Sequence, residues 1–257
     1  MTSSDLHDFW EIGVKRTREA PCSKALTPSR LPGLDLTLNP YRGCAHGCIY
    51  CYAPSLLHLS AKEWSDPLPK RGFIRLLERE LPHIKGVIGV GTSTDPYQPM
   101  EADLCLTRRA LELISKNGLR FCIHTKSDLV TRDIDLIGPN EVGVTVTSLD
   151  EVVSRVIEPG APPPSRRLDA LLLLNDAGIH TFVMVGPALS CIEGREEELV
   201  GAIAATGTEV LMVDTLRLRP NTGSELADAG VRAAGQATMR RLKLFAKEMG
   251  LDYRTAF

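Results

Sequence analysis

The amino-acid sequence predicts an α/β protein built around one parallel sheet. Short runs of β-branched residues alternate along the chain with longer amphipathic runs, which is the pattern of repeated strand–helix units. Residues 86–90 (GVIGV) and 181–185 (TFVMV) are almost continuously apolar. Runs of this kind are typical of parallel strands whose two faces are both covered by helices. The chain length of 257 residues fits a single α/β barrel.

Strands and helices alternate in the predicted order. The predicted strands cover residues 35–39, 84–91, 120–125, 141–147, 179–185 and 209–214. The predicted helices cover residues 72–80, 104–117, 129–137, 149–156, 166–177, 195–205 and 233–249. Gly118 and Gly178 follow two of these helices just before a strand, where glycine readily adopts the left-handed conformation. An open doubly wound sheet is the alternative, but no GxGxxG motif follows the first predicted strand.

The charge balance argues against bulk binding of nucleic acid. The chain has 30 Lys and Arg against 32 Asp and Glu, a formal net charge of −2, and only 5% aromatic residues. Proteins that hold long nucleic acids usually need an excess of positive charge and, for single strands, aromatic rings on which bases stack. Nucleic acid is therefore a disfavoured partner, although a local basic groove stays open as an alternative.

The N-terminal residues and the apolar runs predict neither export nor membrane insertion. Charged residues begin at Asp5, and no apolar segment of signal-peptide length follows. The longest apolar stretches, residues 171–174 and 210–213, fall far short of the roughly 20 residues that a membrane span needs. We therefore expect a cytoplasmic protein without a membrane partner, whose thiols stay reduced and available as metal ligands.

Three of the seven cysteines, Cys44, Cys48 and Cys51, form a C-x3-C-x2-C pattern on a glycine-containing loop after the first predicted strand. An odd number of cysteines in a chain of this size favours a metal over disulfides. Zinc sites usually pair two C-x-x-C knuckles or add histidines at set distances; no second knuckle exists here, and His46 lies inside the loop. Clustered cysteines also hold 4Fe–4S clusters, which need four ligands. Three cysteines would leave one iron open to bind and activate a small molecule.

Five sequence blocks resemble the radical S-adenosylmethionine (radical SAM) superfamily, in particular the branch related to spore photoproduct lyase. The first block is NPYRGCAHGCIYCYA, in which Tyr50 precedes the third cysteine. The others are TSTDPYQPME, TKSDLVTRDIDLI, TSLDE and EPGAPPPSRRLDAL, and together the blocks cover residues 39–187. The resemblance implies a partial (β/α)6 TIM-type barrel of the radical SAM type. It also implies a 4Fe–4S cluster on the three clustered cysteines and S-adenosylmethionine on the open iron.

The resemblance further implies how the chain is divided and what it acts on. We expect an N-terminal arm (residues 1–34), a barrel core (35–215) and a C-terminal extension (216–257) whose final helix packs on the barrel. A reductant such as flavodoxin or ferredoxin would supply the electron, and the resulting 5′-deoxyadenosyl radical would abstract hydrogen from the substrate. Because the chain has little room for an accessory domain, we expect a small or nucleotide-like substrate.

Small and polar residues follow the predicted strands at the end where barrel active sites form. Glycine allows close backbone approach to a ligand, hydroxyls suit its ammonium and ribose groups, and a lysine suits its carboxylate. The expected contacts with S-adenosylmethionine are Tyr50, Gly91, Thr92, Ser93, Asp95, Thr125, Lys126, Ser148 and Gly186. A solvated loop position for Lys126 and a helix cap for Ser148 are the structural alternatives.

Cys191, Tyr52 and Tyr97 are the catalytic candidates, and Arg217 and Arg219 are the substrate candidates. Cys191 follows the fifth predicted strand, where it would donate hydrogen, ligate a second cluster or carry sulfur; a small apolar packing role is the alternative. The two tyrosines lie near the expected barrel mouth, where packing is also the alternative role. The two arginines follow the sixth predicted strand and suit a phosphate or a carboxylate.

The turn after the second predicted strand departs from the related branch. Spore photoproduct lyases place a hydrogen-donating cysteine there, whereas this chain has Gly91, Thr92 and Ser93. Thymine-dimer repair by that mechanism is therefore not expected. The alternatives are a nucleic-acid lesion lyase with a basic groove, a sulfur-inserting enzyme with a second cluster, and a non-enzymatic iron–sulfur or zinc protein.

Overall fold

The computed structural model describes residues 18–217 and 222–256 of the chain. In chain order, its strands are β1 (Leu26–Pro28), β2 (Leu36–Leu38), β3 (Tyr41–Arg42), β4 (Leu68–Pro69), β5 (Val87–Val90), β6 (Arg120–Thr125), β7 (Glu141–Thr145), β8 (His180–Ala188), β9 (Val210–Thr215) and β10 (Asp252–Thr255). Eight of these form one sheet in the order β1-β2-β5-β6-β7-β8-β9-β10. All neighbours in it run parallel except β1 and β2, while β3 and β4 form a separate antiparallel pair.

The helices connect successive strands of this sheet. They are α1 (Ala53–Leu56), α2 (Ala61–Ser65), α3 (Phe73–Glu80), α4 (Glu101–Leu104), α5 (Leu106–Lys116), α6 (Ile134–Ile137), α7 (Glu151–Ile157), α8 (Pro164–Asp176), α9 (Glu196–Ala204), α10 (Thr222–Asp228) and α11 (Gln236–Glu248). In the described ranges, short 3-10 segments cover Leu81–His83, Asp128–Asp133 and Ser190–Ile192. None of the helices in the described part of the chain is both long and apolar enough to cross a membrane.

The prediction of a parallel α/β sheet is confirmed. The six predicted strands correspond to β2, β5, β6, β7, β8 and β9, and each pairs with its neighbour in the expected order. Strands β1 and β10 were not predicted; they form the two edges of the sheet and come from the expected arm and extension. Both are short and mostly exposed, so neither carries the apolar run that identifies a central strand.

Two predicted helices differ from the observed ones. The predicted helix 104–117 is interrupted at Cys105, whose φ of 49° ends α4 and precedes α5. The predicted helix 129–137 begins as a 3-10 segment and becomes α-helical only at Ile134. There the Ser127 side chain accepts a hydrogen bond from the Leu129 amide, and such local side-chain bonds favour a tight turn over a regular helix.

The main hydrophobic core lies between the sheet and the surrounding helices. Every central strand contributes buried apolar side chains to it, among them Ile88, Ile123 and Val144. The last long helix, α11, adds Leu242 and Ala246 to the same core. The apolar core thus holds the strands in register, and the polar residues that follow them come together at one end of the sheet.

Candidate active site

A cavity of about 210 Å³ opens at the carboxyl ends of the parallel strands. One side of its wall is the cysteine loop, which we define as residues 43–52 between β3 and α1. The other sides come from residues that end or follow β5 to β9. Of the residues singled out from the sequence, the cavity is lined by Cys44, Cys48, Tyr50, Cys51, Tyr52, Gly91, Thr92, Ser93, Asp95, Thr125, Lys126, Gly186 and Arg217.

The cysteine loop is held against the last residue of α7 and the segment that follows it. The Ile49 amide donates a hydrogen bond to the Ile157 carbonyl at 3.0 Å, and the Gly160 amide donates to the His46 carbonyl at 2.9 Å. A side chain at Gly160 would place its Cβ 2.0 Å from the Ala45 carbonyl oxygen. Only glycine therefore allows these two segments to lie this close.

Cys44, Cys48 and Cys51 all line the same cavity. Burial raises the pKa of the Cys44 thiol to about 12 and also raises the pKa values of Cys48 and Cys51 above the ordinary range. The thiolate is the form that ligates metals, and it requires a nearby positive centre when its pKa is this high. Within the described ranges, no three His, Cys, Asp or Glu side chains converge closely enough to hold a single metal ion.

Asp95 joins the cysteine loop to the end of β6. One carboxylate oxygen lies 3.3 Å from His46 Nδ1 and accepts a hydrogen bond from the Lys126 amide at 2.8 Å, and the other accepts from the Thr125 hydroxyl at 2.8 Å. Burial by itself raises the pKa of this carboxyl, but His46 and these hydrogen bonds together lower it to about 2. Because both oxygens are engaged within the protein, the geometry supports a structural role for Asp95 more than the expected ligand contact.

The Tyr50 hydroxyl belongs to a buried network of charged and hydroxyl groups. Glu158 accepts hydrogen bonds from the hydroxyls of Tyr50 and Thr147, and its other oxygen lies 2.6 Å from Arg167 Nη1. The Lys126 ammonium lies 5.5 Å from the centre of the Tyr50 ring. Desolvation alone lowers the pKa of Lys126, but its electrostatic interactions with Cys48 in its thiolate form and with Glu158 raise it above the ordinary value. The cavity therefore contains a half-buried cation beside the cysteines.

The turn after β5 forms another part of the cavity wall. Gly91 has a φ of 86°, and a Cβ there would lie 2.5 Å from the His124 carbonyl oxygen, so the turn requires glycine. The Asn39 side-chain oxygen accepts hydrogen bonds from the Ser93 and Thr94 amides at 3.0 and 3.2 Å. Thr94 Oγ1 lies buried without a hydrogen-bond partner, and Thr94 lines the cavity. A buried hydroxyl of this kind fits a polar ligand group.

The end of β9 forms a more open part of the cavity wall. Asp214 and Arg217 both line it, with Arg217 Nη2 3.9 Å from Asp214 Oδ1. Burial raises the pKa of the Asp214 carboxyl, and Arg217 opposes that shift. Tyr52 lies within electrostatic range of both and keeps 39% of its surface exposed. Arg219, the second arginine singled out from the sequence, lies outside the described residues.

Three expected site residues do not line this cavity. The Tyr97 side chain is buried, and its hydroxyl donates a hydrogen bond to Asp133 at 3.1 Å. Ser148 and Cys191 instead line a separate space of about 10 Å³, enough for one water molecule. The Ser148 hydroxyl accepts a hydrogen bond from the Asp150 amide at 3.1 Å. Asp150 is the residue that caps α7, because its carboxylate accepts hydrogen bonds from the Val152 and Val153 amides, and Ser148 lies just before this cap.

Thr94 and Asp214 are polar cavity residues that the sequence-based selection of sites omitted. Asp214 is the last residue of the predicted strand 209–214, so the rule that active sites follow the carboxyl ends of barrel strands would have included it. Thr94 lies between two residues that were selected. Its importance depends on the absence of an internal partner for its hydroxyl, which only the folded structure reveals.

Comparison with known proteins adds a family assignment. A family model described as the radical SAM superfamily matches residues 38–198. An uncharacterized protein of Mycobacterium tuberculosis is 32% identical over 231 residues, which cover 83% of this chain and 66% of that protein. An uncharacterized protein of Methanocaldococcus jannaschii is 35% identical over 171 residues, which cover 65% of this chain and 65% of that protein. The chain therefore spans about two thirds of the length of these relatives.

Two solved structures have a similar fold. A spore photoproduct lyase complexed with dinucleoside spore photoproduct has a TM-score of 0.67 and 15% identity, over 95% of this chain and 81% of that chain. Streptococcus suis SuiB bound to S-adenosylmethionine has a TM-score of 0.60 and 13% identity, over 87% of this chain and 51% of that chain. At such identities the likeness shows the fold alone, and it confirms the predicted partial barrel.

Proposed function

The chain belongs to the radical SAM superfamily, and from this premise we propose that it holds a 4Fe–4S cluster on Cys44, Cys48 and Cys51 and binds S-adenosylmethionine beside it. The observation that carries the proposal is the shared cavity. It is lined by the three cysteines, by the half-buried Lys126 and by Thr94, whose buried hydroxyl has no hydrogen-bond partner. When bound, the cluster supplies the electron that cleaves S-adenosylmethionine into methionine and a 5′-deoxyadenosyl radical.

The residues around the thiols fit the groups of S-adenosylmethionine. Lys126 provides a positive charge for the methionine carboxylate, and its burial strengthens that attraction. The Thr94 hydroxyl and the tight turn at Gly91 offer polar groups to the methionine ammonium. Ser148 and Tyr97 have no direct part in the proposal, because neither lines the cavity.

The open end of the cavity is the proposed substrate side. Tyr52, Asp214 and Arg217 place a phenol, a carboxylate and a guanidinium around it. Arginine is well suited to a phosphate or carboxylate, and a carboxylate accepts hydrogen bonds from N–H and O–H groups. This combination supports a small or nucleotide-like substrate whose hydrogen the radical abstracts. We further propose a cytoplasmic location and a flavodoxin- or ferredoxin-type reductant, in keeping with the free thiols of all seven cysteines.

Cleavage of S-adenosylmethionine by the purified protein tests the proposal. The chain is reconstituted anaerobically with iron and sulfide, then given dithionite and S-adenosylmethionine, and 5′-deoxyadenosine is measured by chromatography. We expect wild type to form it and the triple variant with Ala at Cys44, Cys48 and Cys51 to form none. Cys22→Ala removes a thiol outside the cavity and should behave as wild type. A triple variant with wild-type iron content and cleavage would refute the proposal.

The same preparation separates the alternatives. Iron and sulfide analysis should give about four of each per chain. A higher value would support the sulfur-inserting enzyme with a second cluster, and zinc in place of iron would support the non-enzymatic protein. Salt-sensitive binding of a thymidine oligonucleotide would support lesion repair, whereas the charge balance leads us to expect weak binding.

A further inference from the structure

Residues 95–101, which we call the brace segment, contact the cysteine loop and the strand before it although they lie far from both in sequence. At the start of the brace segment, the Asp95 carboxylate contacts the His46 ring. At its end, Glu101 accepts a hydrogen bond from the Tyr41 hydroxyl. The sequence block TSTDPYQPME, which contains the brace segment, thus contacts both the cysteine loop and the strand before it.

Gln98, in the middle of the brace segment, bonds to the main chain on both sides of Cys44. Its side-chain oxygen accepts a hydrogen bond from the Ala45 amide at 3.0 Å, and its side-chain nitrogen donates one to the Gly43 carbonyl at 3.2 Å. Gln98 has no exposed surface and does not line the cavity. Its two bonds therefore act on the backbone that carries Cys44, and not on a ligand.

The opposite side of Cys44 is also fixed. The Cys44 amide donates a hydrogen bond to the Trp64 carbonyl at 2.9 Å. A Cβ at Gly43 would lie 2.7 Å from the same carbonyl oxygen, so the loop is pressed closely against α2. The backbone around Cys44 is thus held between Gln98 and α2.

Gln98 is itself held firmly in place. The Glu101 amide donates a hydrogen bond to the Gln98 carbonyl at 2.8 Å. The Glu101 carboxylate accepts hydrogen bonds from the Thr107 amide at 2.9 Å and from Arg132 at 2.8 Å. The start of α5 and the 3-10 segment after β6 thus hold Glu101 in place, and Glu101 holds Gln98. Gln98 in turn restrains the backbone on both sides of Cys44.

We propose that Gln98 is a positioning residue that sets the orientation of Cys44 toward the metal centre. The inference rests on the proposed function, because it assumes that Cys44 is a cluster ligand. A carboxamide carries one acceptor and one donor group, which match the amide and carbonyl that flank Cys44. A carboxylate of the same shape offers only acceptors and would oppose the Gly43 carbonyl. Groups that orient metal ligands in this way also tune the metal.

Two substitutions at Gln98 and two at a matched residue test the proposal. Gln98→Glu keeps the acceptor and removes the donor, and Gln98→Met removes both without adding a buried charge. Asn140 is the matched residue, because its buried side chain accepts from the Phe121 amide at 3.0 Å and donates to the Ile137 carbonyl at 2.6 Å. It precedes β7, at the opposite end of the sheet from the cavity. Asn140→Asp therefore removes a buried donor, as Gln98→Glu does, and Asn140→Leu removes both polar groups, as Gln98→Met does. Both Asn140 variants act at a site away from the cysteines.

The reconstituted proteins are compared by electron paramagnetic resonance of the reduced cluster and by bound iron. The metal-free proteins are compared by hydrogen exchange of the peptide covering residues 43–50. We expect Gln98→Met to speed exchange of this peptide about two- to tenfold, the range that corresponds to loss of the one hydrogen bond that the Ala45 amide donates to Gln98. Both Gln98 variants should shift the g values or lower the bound iron, while the Asn140 variants keep the wild-type spectrum and loop exchange.

Two different failures can be distinguished. If wild type itself binds no cluster, the proposed function fails. If wild type binds the cluster but Gln98→Met keeps its g values, iron content and loop exchange, the positioning role of Gln98 is overturned. Should Gln98→Glu fail to fold, the neutral Met variant still decides between these outcomes.

Discussion

The buried ion pair behind the cysteine loop gives the sharpest prediction about stability. Glu158 and Arg167 are 1% and 0% exposed, and their charged groups lie 2.6 Å apart. Glu158→Gln keeps the shape of the side chain but removes its charge. The substituted amide keeps one neutral acceptor oxygen for the guanidinium, and its NH2 group is a donor where the carboxylate offered an acceptor. The variant therefore leaves a buried positive charge without its counter-charge.

The expected cost follows from this burial. Breaking a buried ion pair by removing one partner costs about 3–5 kcal/mol, because the other charge stays desolvated. A domain has a free energy of unfolding of about 5–15 kcal/mol, so the loss is a large fraction of the total. For a chain of this size it corresponds to a melting temperature lower by about 6–20 °C. Urea unfolding of the metal-free protein, followed by circular dichroism, measures the difference.

The pH dependence of the same difference gives an independent check. Burial alone raises the pKa of the Glu158 carboxyl, but Arg167, Lys126 and two hydroxyls lower it below the ordinary value of 4.5. The unfolded chain therefore binds a proton at higher pH than the folded chain does. The stabilising effect is complete above pH 4.5 and is lost as the pH falls through the lower, folded-state pKa. The difference in free energy of unfolding between wild type and Glu158→Gln should therefore become smaller as the pH falls below 4.5.

A surface ion pair provides the control. Glu193 lies 2.7 Å from Arg232 in an exposed pair, so Glu193→Gln should change stability little. The double variant of Glu158→Gln with Arg167→Met should recover part of the loss, since it removes the unpaired charge. The reasoning is refuted if Glu158→Gln loses less than about 1 kcal/mol, or if its gap to wild type does not depend on pH.

Two further substitutions test the loop and the cavity. Gly160→Ala should lower bound iron by at least half and cost about 1–3 kcal/mol, because its Cβ would lie 2.0 Å from the Ala45 carbonyl oxygen. Gly235→Ala, whose Cβ meets no atom closer than 3.7 Å, is the control, and equal iron loading in both variants would contradict the argument. Lys126→Met should raise the Kd for S-adenosylmethionine about 10- to 100-fold in calorimetry of the reconstituted protein. An unchanged Kd would rule out a carboxylate contact.

Most of the sheet could be predicted from the sequence, because its central strands are apolar on both faces. Residues 86–90 and 181–185 illustrate this pattern, and they fall within or overlap β5 and β8. The edge strand β10 could not be predicted in the same way. Its residues are mostly exposed, so they do not form an apolar run. The strand is defined by its pairing with β9, and α10 and α11 separate the two strands along the chain.

Strand ends and the cysteine motif predicted most of the positions that line the cavity. The cavity brings these positions together because parallel strands end on the same side of the sheet. The sequence does not show which polar side chains have a partner inside the protein. Tyr97 has the chemistry of a catalytic residue, but its hydroxyl is engaged by Asp133. Thr94 was omitted although its hydroxyl has no internal partner. Hydrogen bonds such as the one between Tyr97 and Asp133 join residues that are distant in sequence, so the sequence alone does not reveal them.

The supporting residues and the cavity residues can therefore change independently. Gln98 and Glu158 contact the cysteine loop from outside the cavity, so their proposed role does not depend on which substrate is bound. The end of β9 lies at the open end of the cavity, where Asp214 and Arg217 line the proposed substrate side. Under the proposed function, a change there should alter the substrate and leave the proposed cluster ligands Cys44, Cys48 and Cys51 in place. The chemistry that distinguishes this chain from its structural neighbours should therefore depend on the end of β9.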